Sequence, residues 1–399
     1  MPKDHLSSLF HSFRKNAHYK NDDFEETTTS EAQKATENVC FAAAVSYQES
    51  VVNEVPPLRR DRHIAYIRNN LDQLGGGYST LDASRPWLCY WGVHSINLLG
   101  EPISEELSSR IIRFLKTCVD DEGGYGGGPG QLGHLATTYA AVLCLASLGS
   151  EEALASIDRR RLYSFLRARH QSSGAYTMHV GGEEDMRAPY LALSVAALTR
   201  IIDSKLSDAV AEWIVSCQTY EGGFGGERGV EAHGGYTFCG YACLCLLNRA
   251  RLADTQALHR WLSKRQMPFE GGFQGRTGKL VDGCYSFWQA AVFRLIDTEL
   301  RREGAVPLGD AFDARALQEY ILVCCQDERG GLRDKPGMRS DLYHSCYVLS
   351  GLAIAQSFVE DKALLFGGIQ TQVEESHPVF NITLAREQSA REYFESKPL

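Results

Sequence analysis

The chain has 399 residues, of which 44% are hydrophobic, and a formal net charge of -9 at pH 7. The length allows either two domains or one large helical unit, and the acidic balance disfavours nucleic acid or an anionic membrane as a partner. No run approaches the roughly 18 apolar residues of a membrane span, and residues 1–20 lack the apolar centre of a secretory signal. We therefore predict a cytoplasmic protein without stable membrane insertion, whose 12 cysteines are reduced thiols.

Residues 1–55 are polar, acidic in places and rich in threonine. We predict that they form an N-terminal arm, extended or in contact with a partner, with one helix around residues 29–49. Residues 56–399 are predicted to form a single α/α-barrel catalytic domain with a C-terminal extension.

From residue 59 onward a pattern recurs: an amphipathic helix, a glycine turn, an irregular loop and a nearly all-apolar helix. The turns begin at Gly75, Gly123, Gly174, Gly222, Gly271 and Gly330. This spacing of roughly 50 residues is typical of two-helix repeats. Because the apolar helices are hydrophobic on most sides, we expect them to form a buried inner ring. We predict an all-α protein, an α/α barrel (toroid) of about six helix-pair repeats.

The expected inner helices cover residues 87–99, 136–148, 189–202, 236–247, 285–296 and 343–355. Charged amphipathic helices, for example residues 206–218 and 314–327, are expected outside them. Polar residues recur eleven positions after each of the last five turns, where the loop enters its inner helix. They are His134, Asp185, His233, Asp282 and Asp341. The repeat therefore predicts that residues far apart in the sequence line one mouth of the barrel.

One segment at this mouth has the composition of a metal site. Asp282 and Cys284 are a hard and a soft ligand separated by one glycine, which suits zinc. The repeat brings His344 to nearly the same structural position as Cys284, so it is the expected third ligand. Three protein ligands leave a coordination position open. Such a site either holds a substrate thiol as the nucleophilic thiolate or activates water for hydrolysis.

The neighbouring side chains favour a diphosphate leaving group and an apolar substrate. Arg276 and Lys279 lie three residues apart, and His233 and Tyr285 occupy matching mouth positions in neighbouring repeats. Such donors neutralise the charge on a departing diphosphate, although spacing alone also fits an exposed basic face. Aromatic residues on the expected inner helices are Trp87, Trp91, Tyr190, Tyr236, Trp288, Tyr343 and Tyr347. Each is ordinarily a core residue, but together they fit a channel for a prenyl chain.

Several segments of this sequence resemble the β subunits of the protein farnesyltransferases, in the CaaX prenyltransferase family. They are Lys-Leu-Val-Asp-Gly-Cys-Tyr-Ser-Phe-Trp at 279–288, Tyr-His at 343–344, Asp-Ala-Ser-Arg-Pro-Trp-Leu-Cys-Tyr-Trp at 82–91 and Glu-Ala-His-Gly-Gly-Tyr-Thr-Phe-Cys-Gly at 231–240. The resemblance extends over residues 75–350, nearly every repeat.

The resemblance implies a role for each matching residue. Zinc would be held by Asp282, Cys284 and His344. The diphosphate would be held by His233, Arg276, Lys279 and Tyr285. The isoprenoid would be lined by Arg187, Tyr190, Tyr236, Cys239, Trp87, Trp288 and Tyr347. The aliphatic part of the peptide would contact Trp91, Trp87 and Tyr343. Asp334 matches the carboxylate that favours Mg²⁺ on the diphosphate.

The resemblance also implies a function. The chain is expected to be the catalytic β subunit of a heterodimer with an α subunit. It would transfer farnesyl from farnesyl diphosphate, through a zinc-bound thiolate, to the cysteine of a C-terminal CaaX motif in proteins such as small GTPases. The related geranylgeranyl enzyme has a lysine in place of Asp334 and a small residue in place of Trp87, so both residues favour the fifteen-carbon donor. Two segments depart from the family pattern, at Ala188-Pro189 and Met338-Arg339.

Three alternatives remain open at this point. Geranylgeranyltransferase type I is the first, and donor choice distinguishes it. A terpene cyclase would share the toroid, but the sequence has no Asp-x-Asp-Asp motif. A non-catalytic scaffold that binds proteins through the barrel rim would have no need of a zinc ion.

Overall fold

A computed structural model of the chain describes residues 27–50, 56–306 and 312–397. Helix α1, Thr28–Ser50, agrees with the helix expected around residues 29–49. The rest of the expected N-terminal arm, residues 1–26 and 51–55, lies outside the described residues. The division of the chain at residue 55 therefore stays a prediction.

In the described part of the chain, six helix pairs form two concentric layers, as the repeat predicts, and one inner member consists of two consecutive helices. The outer layer contains α2 (Arg60–Asp72), α4 (Glu105–Thr117), α7 (Arg159–Arg169), α10 (Val210–Val215), α12 (Thr255–Ser263) and α15 (Ala314–Tyr320). The inner layer contains α3 (Arg85–Leu98), α5 (Leu135–Leu148), α8 (Arg187–Leu198), α11 (Gly234–Leu246), α13 (Tyr285–Trp288) continued by α14 (Ala290–Arg302), and α16 (Leu342–Ser357). Further short helices are α6 (Glu151–Ala155) and α9 (Ser204–Ser207), and α17 (Leu384–Ser396) follows the last repeat.

The inner helices are buried on nearly every side. In α5, thirteen of the fourteen residues are buried. A helix with a hydrophobic sequence and no polar face must be covered on all sides in this way. The outer helices are amphipathic and often begin at a side-chain cap; Ser104 caps α4 and Asp254 caps α12. Only isolated bridges, and no strands, occur within the described ranges. The fold prediction, an all-α toroid of helix pairs, is confirmed.

Two outer helices are less regular than the sequence predicts. The helix expected at residues 206–218 is interrupted between α9 and α10, where Ala209 has a φ of 58°. The helix expected at residues 314–327 ends as α15 at Tyr320 and continues as a π-helical turn, Ile321–Cys325. Helix α1 packs against this π turn and so lies outside the last repeat.

The inner ring is closed. Each inner helix packs against the next one along the chain, and α16, from the last repeat, packs against α3, from the first. The glycine turns link the outer layer in the same order. A Cβ on Gly222 would lie 2.2 Å from the carbonyl oxygen of Ala257 in the next outer helix. A Cβ on Gly330 would lie 2.3 Å from the carbonyl oxygen of Arg62 in α2, so this turn joins the last repeat to the first.

The C-terminal extension closes one end of the barrel. Its backbone carbonyls accept hydrogen bonds from tyrosines of three inner helices: Tyr90 to Asn381 at 2.6 Å, Tyr139 to Phe380 at 3.2 Å and Tyr190 to Val379 at 2.7 Å. Helix α17 then packs on α5 and α8. The carbonyl of Leu98, the last residue of α3, accepts the N–H of Glu374 at 2.8 Å, so the extension also covers the end of the barrel opposite the mouth.

The Gly330 turn provides a test of ring closure. Gly330 and Gly337 both have left-handed φ values, +99° and +87°, but a Cβ on Gly337 would meet no atom within 4 Å. We expect Gly330→Ala and Gly337→Ala to share a strain of about 1–2 kcal/mol. Gly330→Ala should lower the free energy of unfolding by about 1–3 kcal/mol more than Gly337→Ala, because backbone atoms of α2 must move. The midpoint of urea denaturation measures the difference, and equal midpoints would contradict the closure contact.

Candidate active site

The three expected metal ligands converge at the mouth. Asp282 and Cys284 immediately precede α13, and His344 lies in the first turn of α16. Their ligand atoms all lie within 4.8 Å of one another, and Nε2 of His344 is 3.2 Å from Oδ1 of Asp282. Because α13 and α16 are neighbours in the inner ring, residues 60 positions apart meet at one point.

Asp341 fixes the orientation of His344. One oxygen of the Asp341 carboxylate caps α16 by accepting the backbone N–H of His344 at 2.7 Å, and the other lies 2.7 Å from Nδ1 of its ring. With its proton on Nδ1, the ring presents the Nε2 lone pair to Asp282 and Cys284. Metal-binding histidines are commonly oriented by a carboxylate in this way.

The donor set fits a zinc ion. Nε2 of His344 is buried and makes no well-formed hydrogen bond, because its approach to Asp282 has the distance but not the geometry of one. A carboxylate, a thiol and an imidazole that face one point are the ligand types of a catalytic zinc site with one position open. No fourth ligand from the described residues belongs to this group.

The protonation of the three residues is consistent with a cation between them. Burial raises the pKa of the Cys284 thiol. Burial lowers the pKa of His344, but the neighbouring carboxylates of Asp282 and Asp341 outweigh burial and raise the pKa to about 10. Without a metal, a proton on the imidazole balances the carboxylates; a divalent cation takes the place of the imidazole and thiol protons.

The expected diphosphate residues lie in the loops of repeats four and five. Nε2 of His233 is 3.0 Å from the hydroxyl of Tyr285. Arg276 pairs with Glu231 at 2.6 Å, and the side chain of Lys279 is exposed without a carboxylate partner among the described residues. The structure therefore brings His233 and Tyr285 into contact, with the two cations on the adjoining loop.

His233 has a fixed tautomer. Its Nδ1 accepts the backbone N–H of Gly235 at 3.1 Å and thereby caps α11. The ring proton of the neutral imidazole is then on Nε2, which faces Tyr285. Burial, followed by the charge of Arg276, lowers the pKa of His233, which keeps the ring neutral near pH 7.

An unbroken circuit of aromatic rings lines the inner helices below the mouth. Neighbouring centroids are 4.3–5.6 Å apart, and every inner repeat contributes at least one ring. In order, the circuit is Trp87, Tyr139, Tyr190, Phe238, Trp288, Tyr347, Tyr343 and Trp91, which returns to Trp87. Each ring is in the first two turns of its helix, so all six inner helices begin at the same end of the barrel.

The remaining expected substrate residues surround this circuit. Tyr236 contacts the ring of His233 at 5.3 Å between centroids, and Cys239, one turn further along α11, is buried. Arg187 is exposed at the mouth and ion-paired with Asp185 at 2.5 Å.

Asp334 lies beside the metal ligands. Its backbone carbonyl accepts the N–H of Gly283 at 2.8 Å, and its carboxylate is 2.5 Å from Nζ of Lys335. Burial, followed by the charge of Asp282, raises the pKa of Asp334. The structure thus places Asp334 beside the candidate metal ligand Asp282.

Several contributors were missed at the level of sequence. Tyr139 and Phe238 each lie five residues after the capping histidine of their helix, just as Tyr190 lies five residues after Asp185. Aligning the repeats would therefore have predicted both rings. The role of Asp341 follows from its position three residues before His344 at a helix N-terminus. The Glu231–Arg276 pair joins two loops, and no local sequence pattern predicts it.

A second group, His134, His179 and Glu183, also has ligand atoms within 4.8 Å of one another. Its chemistry does not fit a metal, because Nδ1 of His134 accepts the N–H of Ala136 at 3.0 Å and leaves the proton on Nε2. Asp282, Cys284 and His344 remain as the candidate metal centre among the described residues.

Helices long and apolar enough to cross a membrane are absent from the described ranges. All 12 cysteines are free thiols in the structure.

Comparisons with known proteins agree with the fold. The family model for the prenyltransferase alpha-alpha toroid domain matches residues 58–382. The chain is 40% identical to protein farnesyltransferase subunit beta of Arabidopsis thaliana over 90% of this chain and 86% of that protein. It is 43% identical to the subunit of the same name from Pisum sativum, over 78% of this chain and 89% of that protein.

A solved structure shares the fold. Candida albicans protein geranylgeranyltransferase-I, complexed with GGPP, matches with a TM-score of 0.69 at 21% identity, over 85% of this chain and 99% of that chain. The family model and the two relatives agree with the closed toroid. The chain therefore belongs to the prenyltransferase family with an α/α-toroid domain, and the relatives named above are protein farnesyltransferase β subunits.

Proposed function

We propose that the chain is the catalytic β subunit of a heterodimeric protein farnesyltransferase. It transfers farnesyl from farnesyl diphosphate to the cysteine thiol of a C-terminal Cys-a-a-X motif, in which a is aliphatic. The observation that carries the proposal is the convergence of Asp282, Cys284 and His344 at the mouth of an aromatic-lined barrel. The named relatives support it, because they are β subunits of this enzyme class.

Asp282, Cys284 and His344 would hold Zn²⁺, and Asp341 would keep the imidazole in the ligating tautomer. When bound, zinc supplies the charge that lowers the pKa of the acceptor cysteine and holds it as the thiolate nucleophile. The thiol proton would pass to solvent when the acceptor binds, so the chain needs no side chain as general base.

His233, Arg276, Lys279 and Tyr285 would bind the diphosphate. The sulfur forms a bond to the first farnesyl carbon, and the diphosphate leaves with the electron pair of the broken C–O bond. The four side chains donate N–H and O–H groups to the leaving oxygens as negative charge builds on them. The N-termini of the inner helices, which share this mouth, add a favourable potential for an anion.

The aromatic circuit would bind the hydrocarbon of the donor. Its flat rings bury a long unsaturated chain without unsatisfied polar groups. Lining residues would be Trp87, Arg187, Tyr190, Tyr236, Cys239, Trp288 and Tyr347. The peptide's aliphatic side chains would contact Trp87, Trp91 and Tyr343. In the circuit Trp87 sits between Trp91 and Tyr139, at 5.5 and 5.6 Å between centroids, which would limit the length of the donor.

Asp334 would hold Mg²⁺ on the diphosphate. One oxygen of its carboxylate is buried without a hydrogen-bond partner among the described residues, and the other pairs with Lys335. An oxygen ligand next to a substrate diphosphate is the usual environment of Mg²⁺ in proteins.

An α subunit would complete the enzyme. The mouth loops expose Leu132, Val180, Val230 and Met338, with 39–56% of each residue accessible. Apolar side chains exposed around a functional mouth are typical of a surface that binds protein. We propose that this rim contacts the α subunit. A complex that modifies CaaX-terminated substrates such as small GTPases would act in the cytoplasm.

The direct test is co-expression with a candidate α subunit, followed by transfer of labelled farnesyl to a Cys-a-a-X peptide. We expect transfer that zinc removal abolishes and zinc addition restores. A peptide with serine in place of the cysteine is the control for the acceptor atom. A purified complex that binds zinc but transfers no farnesyl would contradict the proposed function.

Metal analysis of the same complex tests the ligand set. We expect about one zinc per β chain in the wild type, and loss of zinc with an activity decrease of more than about 100-fold in Cys284→Ala. Cys243→Ala is the matched control, since Cys243 is fully buried in α11 and is outside the metal group. Retention of zinc by Cys284→Ala would exclude Cys284 as a ligand.

Trp87→Thr tests donor length. Removing the indole opens the aromatic circuit, so the ratio of kcat/KM for geranylgeranyl diphosphate to that for farnesyl diphosphate should rise by about 10-fold or more. Trp213→Thr, on outer helix α10, is the control and should leave the ratio unchanged. An unchanged ratio in Trp87→Thr would mean that another residue selects the donor.

A further inference from the structure

Arg276 is already engaged by a carboxylate. Its Nη1 lies 2.6 Å from Oε2 of Glu231, and the two side chains are 41% and 44% exposed. Glu231 precedes the capping residue His233 by two positions, whereas Arg276 belongs to the loop of the next repeat. The pair therefore bridges the two loops that carry the diphosphate residues.

The other donors of this cluster are not neutralised in the same way. Lys279 has no carboxylate partner within the described part of the chain, and the neutral His233 and Tyr285 contact each other. Arg276 is consequently the cation of this cluster that must share its charge between an internal carboxylate and an incoming anion.

The two loops do not depend on the Arg276–Glu231 pair for their position. The backbone N–H of Gly234 donates to the carbonyl of Gly275 at 2.7 Å and joins the loops directly. Buried Arg265 donates to the hydroxyl of Thr277 at 2.6 Å and supports the second loop from below. Half-exposed ion pairs contribute little to stability, so loss of this pair should leave the loops in place.

We infer that Glu231 is an internal competitor for Arg276, which weakens the binding of the donor diphosphate and of the pyrophosphate product. The inference rests on the proposed function, because it assumes that the diphosphate binds beside Arg276. An anion on the remaining guanidinium N–H groups lies close to the Glu231 carboxylate, and the two negative charges repel each other. Glu231 thereby favours release of pyrophosphate and keeps Arg276 from binding weaker anions.

A structural role for Glu231 has the opposite consequence. If the carboxylate served to hold the guanidinium towards the diphosphate, its removal would free the side chain of Arg276 and weaken anion binding. The sign of the change in affinity therefore distinguishes competition from positioning.

The experiment measures binding of inorganic pyrophosphate to the purified α/β complex by titration calorimetry. Glu231→Gln removes the charge and keeps the size of the side chain. We expect affinity to increase about 2- to 5-fold, the range for a half-exposed ion pair. Glu227→Gln is the matched control, because Glu227 is exposed in the same loop and does not pair with Arg276.

A double-mutant cycle assigns the effect to Arg276. Arg276→Gln should bind pyrophosphate more weakly than the wild type, and Glu231→Gln should give no further gain in that background. In transfer assays, Glu231→Gln should lower KM for farnesyl diphosphate and strengthen inhibition by pyrophosphate.

Unchanged or weaker binding by Glu231→Gln, or an equal gain in the Arg276→Gln background, would overturn the inference. If the wild-type complex still transferred farnesyl, the proposed function would stand. A wild-type complex that bound neither pyrophosphate nor farnesyl diphosphate would overturn both.

Discussion

Closure of the inner ring is the constraint on which the site depends. Each inner helix is apolar on almost every side and must be covered by two neighbours, the outer layer and the barrel contents. Six helices satisfy this requirement when α16 packs back against α3. Because every repeat runs in the same direction, all six helices begin at one end, and the residues that precede them converge there.

The residues at the mouth therefore combine structural and chemical roles. His233 ends a loop, caps α11 through Nδ1 and presents a fixed Nε2 proton to the mouth. Asp341 caps α16 with one oxygen and orients His344 with the other. A helix N-terminus needs acceptors for its first N–H groups, and the side chains that supply them lie where an anion or metal would bind. Stability and function thus select the same positions.

The charge of the mouth contrasts with that of the whole chain. The protein carries a net charge of -9, yet arginines, lysines and helix N-termini gather around one opening. Several of these cations have internal carboxylate partners, such as Arg187 with Asp185 and Arg276 with Glu231. These pairs partly neutralise the cations before an anionic substrate binds. The substrate must then compete with the internal carboxylates for the arginine side chains.

The sequence by itself determined the repeat, the order of the helix pairs, and the group Asp282, Cys284 and His344, because glycine turns and apolar periodicity are local signals that recur in register. Only the tertiary structure decided the closing contact of Gly330 with Arg62, the complete aromatic circuit with Tyr139 and Phe238, and the pairing of Arg276 with Glu231. These contacts join different repeats, and which side chains face each other across them depends on the rotation between successive helix pairs. That rotation is set by packing of the whole ring, so no local stretch of sequence specifies it.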